Sequence, residues 1–342
     1  MKLSAGKFWG LRRLATADGH FAMLAIDQRP PIEALVKARR GVASASFDDI
    51  VAVKVALARA LAGQASALLM DPVYAYWAAV EHARPDRGLL LTLEDHRFAE
   101  TPGGRRGAPI ADWSVGKIKR LGADGVKLLV HYRPDAAPEI RRHQQDFVAR
   151  AGAECREHDI CLLLELLVYP LAGDTVQLTD PARRAALVID SVREFADPRY
   201  GVDLFKLESP IAAADLPDPD AGGDAVERAR AAFAALGAAA TRPWVMLSAG
   251  AAMAQFARVL HYAYEAGASG YLAGRAIWWE AAQAFPDPIA LDRRLRDEAA
   301  PYMDALNRLT AARAVPWMRH AAFAGAVALD GAGAGFAAGY GG

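Results

Sequence analysis

The chain has 342 residues, of which 53% are apolar and 23% are charged, and its formal net charge is zero. This length and composition indicate one large globular domain or two small ones. Because neither sign of charge dominates, there is no bulk electrostatic argument for binding nucleic acid or an anionic membrane, and a small-molecule ligand is the better prediction.

Short apolar runs alternate with longer amphipathic stretches along the chain, which predicts repeated strand–helix units and a parallel sheet. The first element is an N-terminal helix with helix-like spacing through Phe8, Leu11 and Leu14. Eight strands are predicted, at 21–27, 66–71, 88–94, 124–130, 160–168, 202–208, 242–248 and 269–274. Helices are predicted between most of them, at 48–63, 113–121, 136–157, 181–195, 224–236 and 252–266.

Eight strands are the number that closes a (β/α)8, or TIM, barrel. A doubly wound open sheet is the alternative, but no G-x-G-x-x-G motif follows an early strand. We therefore predict a single-domain α/β TIM barrel over residues 1–323, with an N-terminal helix and a C-terminal helical extension. Residues 324–342 are rich in glycine and alanine, which predicts a flexible tail.

Two further features bear on the compartment of the protein. The longest apolar run, at 160–171, is interrupted by Glu165, and the N-terminal residues lack the continuous apolar stretch of a signal peptide. We therefore expect a cytoplasmic protein that does not bind a membrane. Cys155 and Cys161 have neither metal-ligand spacing nor a framework of pairs, so we expect buried free thiols.

Lysine is rare in this chain, since only eight of its 40 basic residues are lysines. Two of them, Lys127 and Lys206, lie inside predicted apolar strands, where an ammonium must be paired or lose its proton. Residues two apart on a strand share a face. If the fourth, fifth and sixth strands are neighbours, Lys127, Glu165 and Lys206 can therefore converge inside the barrel.

This convergence has a chemical interpretation. Burial and the positive charge of Lys127 would favour a neutral amine at Lys206, which could attack a ketone to form a Schiff base. A β-hydroxy ketone bound in this way can break by retro-aldol chemistry, with a carboxylate such as Glu165 carrying the hydroxyl proton. The alternative is that Lys206–Glu208 or Lys127–Glu165 are plain buried ion pairs that hold the strands in register, and the residues alone leave both interpretations open.

Seven segments in order between about residues 8 and 320 resemble the tagatose-1,6-bisphosphate aldolase family, class I aldolases on a TIM barrel. They are AIDQR (25–29), LLMDPVYA (68–75), DWSVGKIKRLGADGVKLLVHY (112–132), LLLELLVY (162–169), DPRYGVDLFKLESP (197–210), LSAG (247–250) and GYLAGRAIW (270–278). The resemblance implies that Lys206 is the Schiff-base lysine, Glu165 the catalytic glutamate and Lys127 a second active-site lysine.

The resemblance also implies that Asp27 and Gln28 face substrate hydroxyls at the barrel mouth, although an exposed turn is the alternative for Asp27. Loops after the seventh and eighth strands form anion sites in many barrels. The candidates for the phosphate next to the ketone are Ser248, Gly250, Gly274 and Arg275, of which the arginine adds charge and bidentate hydrogen bonding. Without the resemblance, an ordinary loop is the alternative for Gly274 and Arg275. The candidates for the distal phosphate are Arg29 and, more loosely, Arg105 and Arg106.

We therefore expect an aldehyde-lyase that, by resemblance, cleaves D-tagatose 1,6-bisphosphate to dihydroxyacetone phosphate and glyceraldehyde 3-phosphate. The expected partner is a small-molecule sugar phosphate, with no nucleic acid, no metal and no other cofactor, and assembly into a homo-oligomer is left open. One alternative is an aldolase for 6-deoxy-6-sulfofructose 1-phosphate, because FAMLAIDQR, PWVMLS and GASGYLAGRAIW also resemble that related family. The loop after the third strand favours the tagatose type.

Two alternatives come from other classes of function. A metal-dependent carbon–carbon lyase could use oxygen and nitrogen ligands from Asp27, Asp71, Glu94, Asp95 and His96. A barrel that senses sugar phosphates with little catalysis is the non-enzymatic alternative, and the intact set of Lys127, Glu165 and Lys206 argues against it.

Overall fold

The computed structural model describes residues 2–174, 176–323 and 326–340. Its strands, in chain order, are β1 (Lys2–Leu3), β2 (Phe21–Ala25), β3 (Ala67–Met70), β4 (Gly88–Thr92), β5 (Ala99–Thr101), β6 (Gly104–Arg106), β7 (Gly125–His131), β8 (Cys161–Leu167), β9 (Leu204–Leu207), β10 (Trp244–Met246), β11 (Gly270–Ala273) and β12 (Ala328–Leu329). A closed parallel barrel is formed in the order β2, β3, β4, β7, β8, β9, β10 and β11, with β11 pairing back onto β2. Each predicted strand contributes one strand of this barrel, so the predicted fold class is confirmed.

The helices are α1 (Ala5–Leu14), α2 (Pro30–Arg40), α3 (Phe47–Leu61), α4 (Tyr76–Ala79), α5 (Val115–Arg120), α6 (Pro138–Glu157), α7 (Val176–Thr179), α8 (Pro181–Phe195), α9 (Asp224–Ala239), α10 (Met253–Glu265), α11 (Arg275–Ala282), α12 (Pro288–Arg294), α13 (Ala300–Arg313) and α14 (Phe336–Gly339). The N-terminal helix and the six predicted helices between strands are present, and α12 and α13 form the C-terminal helical extension. Among the described residues, no helix has both the length and the apolar composition that crossing a bilayer requires.

The interior of the barrel is divided into an apolar layer and a charged layer. On β8, Leu163 points inward below Glu165, and on β9, Leu204 points inward below Lys206, because residues two apart share a face. Inward-facing apolar side chains of β2, β3, β4, β10 and β11 join Leu163 and Leu204 in one buried cluster, which α1 closes from the N-terminal end of the barrel through Leu11. The charged side chains therefore lie at the C-terminal end, on top of an apolar floor.

The loop after β4 contains a short hairpin. Strands β5 and β6 pair antiparallel, with Thr101 opposite Gly104, so that Pro102 and Gly103 form a two-residue turn. Proline and glycine suit the two central positions of a β-turn, and the short strands on either side pair because the turn reverses the chain. This hairpin follows β4 and brings Arg105 to the mouth side of the barrel.

Part of the predicted tail contacts the N-terminal segment. Strand β12 pairs in parallel with β1, and the Tyr340 hydroxyl donates a hydrogen bond to the Asp159 carboxylate. The flexibility of this segment stays a prediction, and residues 324, 325, 341 and 342 lie outside the described residues. Cys155 and Cys161 are free and buried, as predicted.

Helix α1 lies so close to the barrel that one of its residues must be glycine. A Cβ at Gly10 would lie 2.5 Å from the Asp124 carbonyl oxygen and 2.9 Å from the Cys161 sulfur. Exchanging glycine for alanine in a helix ordinarily adds up to about 1 kcal/mol of stability. At Gly10 the close contact should instead make the exchange to alanine destabilising.

We therefore expect Gly10→Ala to lower the free energy of unfolding by about 1–3 kcal/mol, the usual effect of overpacking a buried contact. Denaturant unfolding measures it. The matched control is Gly63→Ala, because no atom lies within 4 Å of a Cβ built there. A Gly10→Ala variant as stable as Gly63→Ala would contradict the close packing of α1.

Candidate active site

Two buried lysines share one carboxylate oxygen at the C-terminal end of the barrel. Lys127 Nζ and Lys206 Nζ each lie 3.0 Å from Oε2 of Glu165. Lys127 Nζ also lies 2.7 Å from Glu94 Oε1 and 3.0 Å from Asp27 Oδ2. Lys127 therefore has three carboxylate partners, whereas in the described part of the chain Lys206 has one, which it shares.

These contacts keep Lys127, Asp27 and Glu165 ionised despite their burial. Burial lowers the pKa of Lys127, but the carboxylates of Asp27, Glu165 and Glu94 outweigh that effect and raise the pKa above its ordinary value. Burial raises the pKa of Asp27, and the charges of Lys127 and Lys206 overcome it and hold this pKa at about 2. The same two lysines overcome burial at Glu165 and keep its pKa below its usual value. Lys127 is thus an ammonium between carboxylates.

The barrel register explains why these side chains meet. Strands β7, β8 and β9 are hydrogen-bonded neighbours, and Glu165 on β8 is paired with Lys206 on β9. Glu94 follows the end of β4, where its Oε2 also accepts a hydrogen bond from the backbone N–H of Leu129. Glu94 therefore fixes Lys127 and the backbone of β7 at once.

Sequence reasoning considered Glu94 only as a metal ligand and missed its contact with Lys127. The signal was available, because Glu94 is two residues beyond Thr92 and continues the face of β4 that Thr92 presents. Applying the same two-residue rule to Glu94, the last residue of the third predicted strand, would have placed this carboxylate near the lysines.

A cavity of about 300 Å³ opens above the two amines. A space of this size fits a small polar molecule rather than a polymer. Its walls are formed by Asp27, Gln28, Arg29, Pro30, Pro31, Glu94, His96, Phe98, Lys127, Leu129, His131, Glu165, Leu167, Lys206 and Arg275. Lys206 Nζ therefore lies beside open space at the mouth of the barrel.

Arg275 is the first residue of α11 and lines this cavity. Burial lowers the pKa of its guanidinium, although Glu165 and Asp27 act in the opposite direction. Among the described residues it has neither a salt-bridge nor a hydrogen-bond partner, so its charge is available to a ligand. A Cβ at Gly250 would lie 3.2 Å from the guanidinium carbon, and one at Gly274 would lie 2.7 Å from Gln28 Nε2. The two glycines allow these close approaches.

The remaining phosphate candidates lie along two cavities. Ser248 and Gly250 line a second cavity of about 280 Å³, together with Arg184 and Ser209. Arg29 is buried, and its Nη2 donates to the Glu94 carbonyl oxygen at 3.2 Å while lying 3.8 Å from Glu94 Oε1. Arg29 thus lines the main cavity, whereas Ser248 and Gly250 line the second one.

The two arginines of the hairpin, Arg105 and Arg106, have different surroundings. The Arg105 guanidinium lies 4.3 Å from the ring centroid of Phe98 and 4.8 Å from that of Tyr169, and its Nε donates to Glu100 at 3.0 Å. Arg106 is exposed. Of the two, Arg105 is the one held against a residue that lines the cavity.

Other acids in the region are already paired. Glu208 pairs with Arg184 and not with Lys206, and burial raises the pKa of its carboxyl to about 7. Asp71 pairs with Lys54, and both side chains are fully buried. Within the described ranges, no group of three or more His, Cys, Asp and Glu residues is arranged to hold a metal ion.

Known proteins resemble this chain in sequence and in fold. Residues 21–280 match the family described as DeoC/LacD family aldolase. Tagatose 1,6-diphosphate aldolase 2 of Enterococcus faecalis is 33% identical over 324 residues, which cover 93% of this chain and 97% of the relative. A Streptococcus mutans protein of the same name is 30% identical over 328 residues, covering 93% of this chain and 98% of the relative.

Solved structures share the fold at lower identity. The fructose-bisphosphate aldolase of Plasmodium falciparum has a TM-score of 0.60 at 13% identity, covering 92% of this chain and 98% of its own. A Schiff-base-forming fructose-1,6-bisphosphate aldolase has a TM-score of 0.55 at 20% identity, covering 89% of this chain and 99% of its own. Similarity at this level of identity is similarity of fold.

The depressed pKa of Asp27 predicts a pH dependence of stability. Because the pKa is about 2 in the folded protein and 3.8 ordinarily, the ionised carboxylate stabilises the fold above pH 3.8, and this contribution is lost as the pH falls through 2. The shift corresponds to about 2 kcal/mol.

We therefore expect the difference in unfolding free energy between the wild type and Asp27→Asn to shrink by about 2 kcal/mol between pH 4 and pH 2. Denaturant titrations at several pH values measure it. The control is Asp18→Asn, at an exposed position, where the difference should stay constant. A difference for Asp27→Asn that does not change with pH would contradict the ion pairs described.

Proposed function

We propose, from the premise that this chain belongs to the DeoC/LacD aldolase family, that it cleaves D-tagatose 1,6-bisphosphate through a Schiff base on Lys206. The family and the curated relatives make the chain an aldehyde-lyase. The relatives of Enterococcus faecalis and Listeria monocytogenes are named for this substrate. The observation that carries the proposal is the shared Glu165 oxygen, 3.0 Å from both amines at the base of an open cavity.

The unequal partners of the two lysines support different roles for them. Lys127 has three carboxylates and a raised pKa, so it remains an ammonium. Among the described residues, Lys206 has one carboxylate partner, the Glu165 oxygen that it shares with Lys127, so fewer contacts must break before its amine meets a ligand. Lys206 Nζ, as a neutral amine, attacks the ketone carbon of the substrate, and one amine proton passes to the carbonyl oxygen. The Lys127 ammonium donates a hydrogen bond to this oxygen, which takes up a second proton from solvent and leaves as water. The product is an iminium ion.

Cleavage of the carbon–carbon bond follows from the position of Glu165. Its carboxylate is ionised and takes the proton of the hydroxyl on the carbon beyond the breaking bond. That carbon becomes the aldehyde product, and the electron pair of the broken bond passes to the iminium, which becomes an enamine. Glu165 then gives this proton to the enamine carbon, and water hydrolyses the resulting iminium to release dihydroxyacetone phosphate and the free Lys206 amine.

The cavity supplies groups for the rest of the substrate. Asp27 and Gln28 would contact substrate hydroxyls, and Arg29 is the candidate for the distal phosphate. The phosphate next to the ketone would lie at the start of α11 beside Arg275 and Gly274, because backbone N–H groups at a helix N-terminus and an unpaired guanidinium both suit an anion. Loop residues Ser248 and Gly250, which follow β10, would complete this site, since a Cβ built at Gly250 would lie 3.2 Å from the Arg275 guanidinium carbon.

Replacing the amine of Lys206 tests the Schiff base. We expect Lys206→Arg to keep a positive charge but to abolish both turnover and borohydride trapping with dihydroxyacetone phosphate, because a guanidinium cannot form the imine. Mass spectrometry of the reduced wild-type adduct should place the label on Lys206. The control Lys37→Arg changes an exposed lysine and should trap normally.

Appreciable turnover by Lys206→Arg, or a label on another residue, would overturn the mechanism. Turnover of 6-deoxy-6-sulfofructose 1-phosphate well above that of D-tagatose 1,6-bisphosphate would overturn the substrate and leave the mechanism intact.

Replacing Glu165 by glutamine separates imine formation from cleavage. We expect Glu165→Gln to form the trapped adduct with dihydroxyacetone phosphate while lowering kcat for cleavage by roughly 100- to 10,000-fold, the usual effect of losing a general acid–base group. Single-turnover kinetics and borohydride trapping measure the two steps. Glu81→Gln, at an exposed position, is the control, and an unchanged kcat in Glu165→Gln would remove Glu165 from the role.

A further inference from the structure

One residue on the cavity wall has no role in the chemistry above. His131 is the last residue of β7 and continues the inward face that carries Lys127 and Leu129. Each pair of residues along a strand advances about 6.6 Å, so His131 lies nearer the barrel mouth than the two amines. Its ring lines the cavity and is not part of the barrel core.

The surroundings of His131 leave its ring nitrogens available. The ring packs against Phe98, with centroids 4.6 Å apart, and meets Tyr169 edge-on at 6.0 Å. Within residues 2–174, 176–323 and 326–340, neither ring nitrogen has a hydrogen-bond partner. Burial and the charge of Arg105 hold the pKa of His131 at about 4, so near neutral pH the ring has one N–H donor and one acceptor nitrogen.

Other polar groups that line this cavity are unpaired as well. Gln28 Oε1 is buried and has no hydrogen-bond partner. Buried polar groups in folded proteins are nearly always paired, so unpaired groups that face one cavity indicate where a ligand completes the pairing. The unpaired groups of Gln28, Arg275 and His131 line the same cavity as Lys206.

The order of the strands in the barrel places Arg275 and His131 on opposite sides of the mouth. β7 and β11 are four strands apart in a closed barrel of eight, so they lie on opposite sides of the mouth. Arg275 follows β11, and His131 ends β7. A substrate held on the β11 side by the phosphate next to its ketone, and bonded to Lys206 on β9, extends its aldehyde half toward His131.

We propose that His131 is a specificity-determining residue that hydrogen-bonds a hydroxyl group in the aldehyde half of the substrate, the carbons beyond the cleaved bond. This inference rests on the proposed function, since it takes the ketone carbon to be bonded to Lys206. A site built to pair a hydroxyl discriminates strongly against an analogue that lacks it, because the buried polar group of the protein is then left without a partner.

The aldol-addition direction provides a matched pair of substrates. Dihydroxyacetone phosphate is combined either with glyceraldehyde 3-phosphate or with 3-oxopropyl phosphate, which differs only in lacking the hydroxyl next to the aldehyde. We expect His131→Phe to lower kcat/KM for glyceraldehyde 3-phosphate by about 10- to 100-fold, the usual effect of losing one buried hydrogen bond. For 3-oxopropyl phosphate the change should stay within about threefold, since that acceptor has no hydroxyl to lose. His131→Gln, which retains a donor and an acceptor, should restore part of the loss.

Controls separate this role from a structural one. His131→Phe should trap the dihydroxyacetone phosphate imine as the wild type does, because that ketone has no aldehyde half, and His82→Phe, outside the cavity, should leave both acceptors unchanged. If His131→Phe still traps the imine, then equal losses of kcat/KM for the two acceptors, or no loss for either, would overturn the inference. Failure of the wild type to trap the imine at all would instead overturn the proposed function, and this inference with it.

Discussion

A single carboxylate oxygen between two buried amines is the interaction on which the site depends. Burying positive charge beside one carboxylate oxygen inside a barrel is costly unless further negative charge is close. Asp27 and Glu94 provide it, and both contact Lys127 rather than Lys206. This unequal distribution of carboxylates keeps Lys127 positively charged, whereas within the described part of the chain Lys206 has only the Glu165 oxygen that it shares with Lys127.

A further set of contacts, outside the barrel, positions Asp27 and the charged groups around it. Lys54 Nζ donates to the carbonyl oxygen of Ile26, the residue before Asp27, and pairs with Asp71. Asp71 in turn accepts hydrogen bonds from the backbone N–H groups of Val73 and Tyr74. A fully buried pair of this kind is stable only while every polar atom keeps its partner. It therefore ties the chain after β2 to the chain after β3, which sets where Asp27 enters the cavity.

Much of the fold and the centre of the site could be predicted from the sequence. Alternation of apolar runs and amphipathic stretches is a local property, and residues two apart on a strand share a face whatever the rest of the chain does. Those two rules placed Lys127, Glu165 and Lys206 on inward faces, and neighbouring strands in the chain are neighbours in a barrel. The contact of Glu165 with both lysines follows from that order.

The sequence by itself determined the eight strands, their order and the face on which each buried charge lies, because these depend on near neighbours in the chain. Only the tertiary structure decided which charges meet: Glu208 pairs with Arg184 of α8, and Ser248 faces a second cavity. It also decided that His131 and Arg275 stand on opposite sides of one mouth. Barrel closure and the packing of loops join residues far apart in sequence, and no local pattern encodes the distance between them.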